Sequence, residues 1–352
     1  MRIAYILPAL QNRGPVIFTR MLVAGLLHQP ELEMEVFYLR KRKGIIDFPV
    51  KCSQLTIGNF YRLFHFDFVH ATGFLPDCVL ALLPIPRSRK ITSLHGFISD
   101  DMTYTYPKWK AHIIIRLWVL ALHFISNFVY SSTFMATHYR SLIGTRNDAI
   151  ISYGIPLPAV SSIELPDQLV FDQYRARSLK IIGAVCLVIK RKGLDQLVRA
   201  LVTLTDCAVV IVGEGPESAL LLDSANRLGV ADRFTILGFR DHSSRYNSHF
   251  DLFAMVSRSE GYCLAMLEAM GCGLPVVCSR LPIYADLISE KDCGFFDLDS
   301  IQSLVLAIKK ITSDPANYIV TSKRLYKEHF MLSGMVSKHV AYYRSLRGDA
   351  SE

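Results

Sequence analysis

The chain has 352 residues, of which 51% are hydrophobic and 20% charged, and it carries a formal charge of +8. That length corresponds to about two domains of roughly 150 residues each, and the composition excludes both a staple-dependent mini-protein and a charge-rich disordered chain. The charge excess lies in one half: residues 1–150 hold 17 Lys+Arg against 9 Asp+Glu, and residues 151–352 hold 22 against 22, which points to two domains with different partners, the first facing something anionic.

In chain order, Arg2–Leu7 reads as a core strand, because MRIAYILPAL turns polar at Gln11–Pro15 and so fits a strand better than a signal peptide. An amphipathic helix follows over Val16–Leu27, then strands Met34–Leu39 and Phe66–His70, a helix near Pro76–Leu83 and a strand Lys90–Leu94. Residues 108–128 come nearest to a long uninterrupted apolar run, and in them Lys108, His112, Arg116, His123 and Asn127 share one stripe of roughly 100°. Such a helix either packs between neighbours or lies partly in a membrane interface with its basic stripe toward head groups. No run of about 18 apolar residues exists, so a spanning helix is not supported. Short strands are expected at Asn127–Ser131 and Ala149–Ser152, and a junction at Pro156-Leu157-Pro158, with weak periodicity as far as Ser178.

The pattern restarts with strand Lys180–Ile189, helix Leu194–Leu204, strand Ala208–Val212, helix Glu217–Leu228 and strands Phe234–Leu237 and Leu252–Met255. Helix Leu264–Met270, strand Pro275–Cys278 and helices Ile283–Ile288 and Ser300–Ile311 follow. Alternation of this kind implies two α/β domains with parallel sheets, each binding ligands beyond the carboxyl ends of its strands, with a cleft between them. The eight cysteines include no C-x2-C pair and lie mostly in apolar runs, as buried thiols of a reducing compartment do; zinc is not expected.

The sharpest local feature is Ser259–Pro275, SEGYCLAMLEAMGCGLP, with Glu260 beside a glycine and Glu268 inside an apolar helix. If the helix starts near Glu260, the two carboxylates stand about 80° apart around its axis and can flank one cavity. Either Glu260 caps the helix and Glu268 pairs with a cation, or both accept hydrogen bonds from ligand hydroxyls while the amides of residues 261–264 hold an anion. Asp297-Leu298-Asp299 offers a metal-binding alternative, against which Asp299 or Ser300 serves as an N-cap. Gly213-Glu214-Gly215 is a turn too short to signal a dinucleotide site.

Lys192-Gly193-Leu194-Asp195, Val212–Glu217, Ile236-Leu237-Gly238-Phe239 and the Glu260–Pro275 stretch occur in order, together with Val69–Gly73, Ser93-Leu94-His95-Gly96 and Tyr153-Gly154-Ile155. In these the chain resembles the retaining glycosyltransferases of family 4, which have the GT-B fold of two facing Rossmann-like domains with a central cleft. The resemblance implies an acceptor-binding domain at 1–157, a linker at 158–178, a nucleotide-sugar donor domain at 179–330, and a C-terminal helix at 331–352 packing back toward the first domain. It implies sugar transfer from a nucleoside-diphosphate sugar to a hydroxyl of a glycan acceptor, lipid-linked in cell-surface polysaccharide synthesis, with no cofactor, metal or nucleic acid. The setting it implies is cytoplasmic, peripheral on the membrane's inner face.

Residue by residue, Glu268 would accept from the ribose and Glu260 from sugar hydroxyls, with Glu260 and His95 as catalytic residues. Lys192, with Lys190 and Arg191 beside it, would meet the pyrophosphate. Gly238 and Phe239 would meet the base, and Gly261, Tyr262, Cys263 and Leu264 would line the phosphate end. Arg13, Asn12 and Gly14 would form an acceptor or phosphate loop. Two departures stand out: the strand before Lys192-Gly193 reads Gly183-Ala184-Val185-Cys186-Leu187 without the usual arginine, and Cys263 stands where glycine is common. A sugar-nucleotide epimerase of the same fold and a non-catalytic binding subunit are the alternatives.

Overall fold

A computed structural model describes residues 1–42, 46–158, 161–261, 263–284 and 288–348. The chain divides into two compact units, one of Met1–Pro156 together with the segment from Met331 onward, the other of Leu157–Phe330.

The first unit holds strands β1 (Arg2–Leu7), β2 (Glu33–Tyr38), β3 (Cys52–Gln54), β4 (Phe68–Thr72), β5 (Lys90–Leu94), β6 (Asn127–Tyr130) and β7 (Asn147–Ile150) in the order β3-β2-β1-β4-β5-β6-β7. All pairings are parallel. β4, β5 and β6 are buried throughout, as strands covered by helices on both faces must be. Helix Gly14–Leu26 begins with Pro15 in its first turn, where a missing N–H costs nothing. It buries Val16, Phe18, Leu22, Val23 and Leu26. A Cβ on Gly25 would lie 2.4 Å from Val336 Cγ2, so glycine lets the C-terminal helix Leu332–Arg347 close against it. Tyr343 of that helix bonds Tyr5 Oη at 2.9 Å and His70 Nδ1 at 2.8 Å, which satisfies polar groups inside the first core.

The second unit holds β8 (Lys180–Val185), β9 (Cys207–Val212), β10 (Phe234–Gly238), β11 (Leu252–Met255), β12 (Val276–Ser279) and β13 (Gly294–Phe296) in the parallel order β10-β9-β8-β11-β12-β13. Its core joins Ile182, Val209, Ile211 and Val277 of the sheet to Leu197, Leu221, Leu304 and Ile308 of the helices. The strand order reverses between β1 and β4 in one sheet and between β8 and β11 in the other. Loops leaving the carboxyl ends of strands at such a reversal diverge and open a crevice.

Several elements differ from expectation. The long apolar helix expected over 108–128 spans Lys108–Leu122, and Asn127 starts β6, its amide donating to the carbonyls of Ser88 and Lys90. The helix buries Ala111, Trp118, Ala121 and Leu122, but it is not enclosed: Trp109, Ile113, Leu117 and Leu120 face solvent. The expected linker carries helix Leu165–Ala176, fixed by Asp167, whose carboxylate accepts from Arg240 at 2.7 and 2.9 Å and from the Tyr246 hydroxyl. The helix expected at Leu194–Leu204 is regular only over Asp195–Ala200. Helices Ile98–Thr105, Thr133–Ile143 and Pro315–His329 and the short β3 have no counterpart in the sequence reading. At Pro282–Tyr284 there is a 3-10 turn, and most of the rest of the helix expected at Ile283–Ile288 lies outside the described residues.

Candidate active site

The loops after β8 and β11 meet at the reversal of the second sheet. After β8 the chain makes a 3-10 turn over Lys190–Lys192 that ends at Gly193, whose φ is 62°. A Cβ there would lie 2.2 Å from the Val256 carbonyl oxygen, so this turn requires glycine both for its left-handed backbone and for its closeness to the neighbouring loop. The two loops are stitched by Arg258 N–H donating to the Arg191 carbonyl at 2.8 Å and by Arg191 Nη1 donating to the Ser259 carbonyl at 2.9 Å.

Glu260 sits in this junction with 5% of its surface exposed. Lys192 Nζ donates to its Oε1 at 2.5 Å, the Ser257 hydroxyl donates to the same oxygen at 2.5 Å, and Arg191 Nη1 stands 3.7 Å from Oε2. Burial pushes the carboxyl pKa up, but Lys192 and Arg191 outweigh it and hold the group below the usual carboxylate range. For Lys192 burial alone would lower the pKa; the Glu260 charge reverses this and keeps the ammonium charged. Ser257 has no part in the sequence reading, since its only signal is the need of a buried carboxylate for donors.

Glu260 therefore does not share a helix face with Glu268. The helix spans Leu264–Gly271 with Cys263 as N-cap at φ −88° and ψ 98°. The Cys263 side chain makes no capping bond, and burial pushes its thiol up to about 12, so it stays neutral. Among the described residues the first-turn N–H groups of Leu264 and Ala265 have no acceptor. Gly261 is buried beside them, and Tyr262 lies outside the described residues.

Glu268 stands in the same helix, largely buried, and its carboxylate has no hydrogen-bond or ion partner among the described residues. Burial alone raises its pKa to about 7. Lys190 is exposed and contributes its carbonyl to Arg258. Gly238 ends β10 at φ 83°, and Phe239 after it is 49% exposed.

In the first unit, His95 follows β5. Its Nδ1 bonds the Tyr153 hydroxyl, its ring meets Phe18 edge-on at 4.8 Å, and its buried Nε2 has no partner among the described residues. Burial, then His339, lowers its pKa to about 3, so the imidazole is neutral. The Tyr153 hydroxyl thus orients the ring. Arg13 is the exposed N-cap of helix Gly14–Leu26, Asn12 is exposed beside it, and a Cβ on Gly14 would meet open space.

Other features have structural explanations. Cβ atoms on Gly213 and Gly215 would lie 1.9 and 2.2 Å from the carbonyl oxygens of Cys186 and Val188, so that turn is glycine-rich to pack against the loop after β8. Asp297 pairs with Arg280 at 3.1 Å and Asp299 with Arg258 at 2.8 Å, while Ser300 caps the next helix.

Residues 171–328 match the family model described as glycosyl transferases group 1. Over 98% of its length the chain is 25% identical to the O-antigen biosynthesis glycosyltransferase WclY of Escherichia coli, covering 99% of that protein. It is 29% identical, over 38% of each chain, to N-acetylgalactosamine-N,N'-diacetylbacillosaminyl-diphospho-undecaprenol 4-alpha-N-acetylgalactosaminyltransferase of Campylobacter jejuni. The structure of Anabaena Alr3699/HepE in complex with UDP superposes with a TM-score of 0.79 at 18% identity, covering 98% of this chain and 100% of that one. Residues 171–328 form a glycosyl transferases group 1 domain, and the chain is a glycosyltransferase of the GT-B fold.

Proposed function

We propose that the protein transfers a sugar from a nucleoside-diphosphate sugar to a hydroxyl of a lipid-linked glycan, with retention of configuration as in family 4, in O-antigen or lipopolysaccharide-type assembly. The observation that carries this reading is Glu268: a largely buried carboxylate without a partner is costly to maintain, and a ribose diol supplies the two donors it lacks. The matched relatives, one acting in O-antigen biosynthesis and one named for a diphospho-undecaprenol acceptor, support the polysaccharide setting.

Loss of the nucleoside diphosphate leaves positive charge on the sugar and negative charge on phosphate. Lys192 has three N–H donors and spends one on Glu260, so two remain for phosphate oxygens, and the first-turn amides of Leu264 and Ala265 add two more. Glu260, fixed by Ser257 and Lys192, presents its Oε2 edge toward sugar hydroxyls. Neutral His95, with its Nε2 unpartnered among the described residues, is assigned to the transferred sugar by the family resemblance. Arg191 and Lys190 add charge at the phosphate end, and Gly238 and Phe239 border the base.

The reaction is tested by incubating the protein with candidate donors, with and without membrane extract as acceptor source. Glu268→Ala and Lys192→Ala are each expected to lower turnover at least a hundredfold, about 2.7 kcal/mol of transition-state stabilisation, in folded protein. Wild-type rates in folded variants would overturn the assignment, and donor conversion without acceptor would favour an epimerase. We also place the protein peripherally on anionic membrane at the cytoplasmic face. The solvent-facing apolar side of helix Lys108–Leu122, with Trp109 70% exposed beside Lys108, Lys110 and Arg116, supports this.

A further inference from the structure

A cavity of about 750 Å³ opens in the first unit beyond the carboxyl ends of β1 and β2. Arg40, Lys41 and Arg42 line it in succession, all exposed, and none of their side chains has a hydrogen-bond or ion partner among the described residues. Elsewhere in this unit Arg2, Arg62 and Arg140 pair with Glu33, Glu35 and Asp148. Three adjacent cations repel one another, and the one carboxylate lining the cavity, Asp47, cannot neutralise them.

The rest of the wall is mostly apolar, with Leu10, Ile46, Phe48 and Val50 and the ring of Tyr38. The wall is held by its backbone: Arg40 N–H donates to the Pro8 carbonyl at 3.1 Å, Ile46 N–H to the Leu10 carbonyl at 2.9 Å, and Arg20 Nε to the Asp47 carbonyl at 2.7 Å. The segment from Pro8 to Leu10 leads directly into Arg13 and Gly14, the loop assigned above to the acceptor.

We propose that this cavity binds the anionic end of the acceptor, a phosphate or diphosphate ester carrying an apolar chain, with Arg40, Lys41 and Arg42 on the phosphate and Phe48 and its apolar neighbours on the first carbons of the chain. A free sugar phosphate would need hydroxyl-binding groups, and among the described residues the wall's side chains offer, apart from the cations, only the Tyr38 hydroxyl, the Cys52 thiol and Asp47. The proposal rests on the glycosyl-transfer reading above, which it deepens by naming the acceptor's chemistry and its site.

Titration calorimetry of the full chain with geranyl diphosphate, inorganic pyrophosphate and phosphatidylglycerol vesicles separates the sources. Geranyl diphosphate is expected to bind wild type and Lys192→Ala alike, and at least tenfold more weakly when Arg40, Lys41 and Arg42 are all changed to alanine. Phe48→Ala is expected to weaken geranyl diphosphate severalfold and leave pyrophosphate unchanged. Equal affinity in the triple variant, or loss in Lys192→Ala alone, would overturn the proposal. So would loss of vesicle binding in the triple variant with geranyl diphosphate affinity intact, which would make the cluster a surface patch. UDP, GDP, ADP and dTDP titrated into the same triple variant are expected to bind as they do to wild type; absence of binding by all four in every variant would count against the donor reading and leave the cavity result standing.

Discussion

Glu268 and Glu260 show how two carboxylates eight positions apart acquire opposite properties from their surroundings. Glu260 is paired and held ionised, whereas Glu268 is unpaired, with its pKa raised by burial to about 7. A folded-state pKa above the ordinary value means that the folded protein holds the proton more tightly than the unfolded chain does. The stability this contributes is full below about pH 4.5 and is lost as pH rises through about 7. Glu268→Gln removes the charge and keeps the shape, so it is expected to raise the unfolding midpoint by several degrees at pH 8 and to change it little at pH 5. An equal midpoint at pH 8 would show that no charge is stranded there. Both glutamates stand out in the sequence by their spacing and neighbours, but their geometry does not. The helix start at Leu264 carries no Ser, Thr, Asp or Asn cap to announce it, and the Lys192–Glu260 pair joins residues 68 positions apart that meet only because β8 and β11 are neighbours.

At the scale of elements, helix Lys108–Leu122 turns two tryptophans to opposite uses. Trp118 is buried and donates from Nε1 to Asp77 Oδ2 at 2.8 Å, a carboxylate also bonded by Thr92 and raised by burial to about 7. Trp109 lies nine positions earlier on the solvent-facing stripe. Trp118→Phe is expected to cost about 1–2 kcal/mol of stability and to leave vesicle binding unchanged. Changing both Trp109 and Leu117 to alanine is expected to keep the unfolding midpoint and to lower co-sedimentation with anionic vesicles severalfold. Failure of wild type to bind such vesicles at low salt would remove the membrane contact. The sequence shows a strongly apolar helix here but not its end, because Asn127 continues the polar stripe in projection while its side chain is needed between β5 and β6. β3 escapes notice because Cys52-Ser53-Gln54 is short and polar, and helix Leu165–Ala176 because only Asp167, Phe171 and Tyr174 of its twelve residues are buried.

For the whole molecule, the two parallel sheets were legible because buried parallel strands are nearly continuous apolar runs that alternate with helices. The charge division between the halves also has structural expression. In the balanced second unit the cations near the candidate site are largely paired, as Lys192 is with Glu260 and Arg258 with Asp195 and Asp299. In the basic first unit Arg40, Lys41 and Arg42 stand unpaired around a cavity. This division fits a donor held by a few placed groups in one unit and an anionic acceptor drawn to the other. The central claim is tested most directly by titrating UDP, GDP, ADP and dTDP into wild type and Glu268→Gln in a calorimeter. At least one nucleotide is expected to bind wild type and to bind the variant at least tenfold more weakly; binding of none, or equal binding to both proteins, would contradict the assignment of Glu268 to the donor ribose.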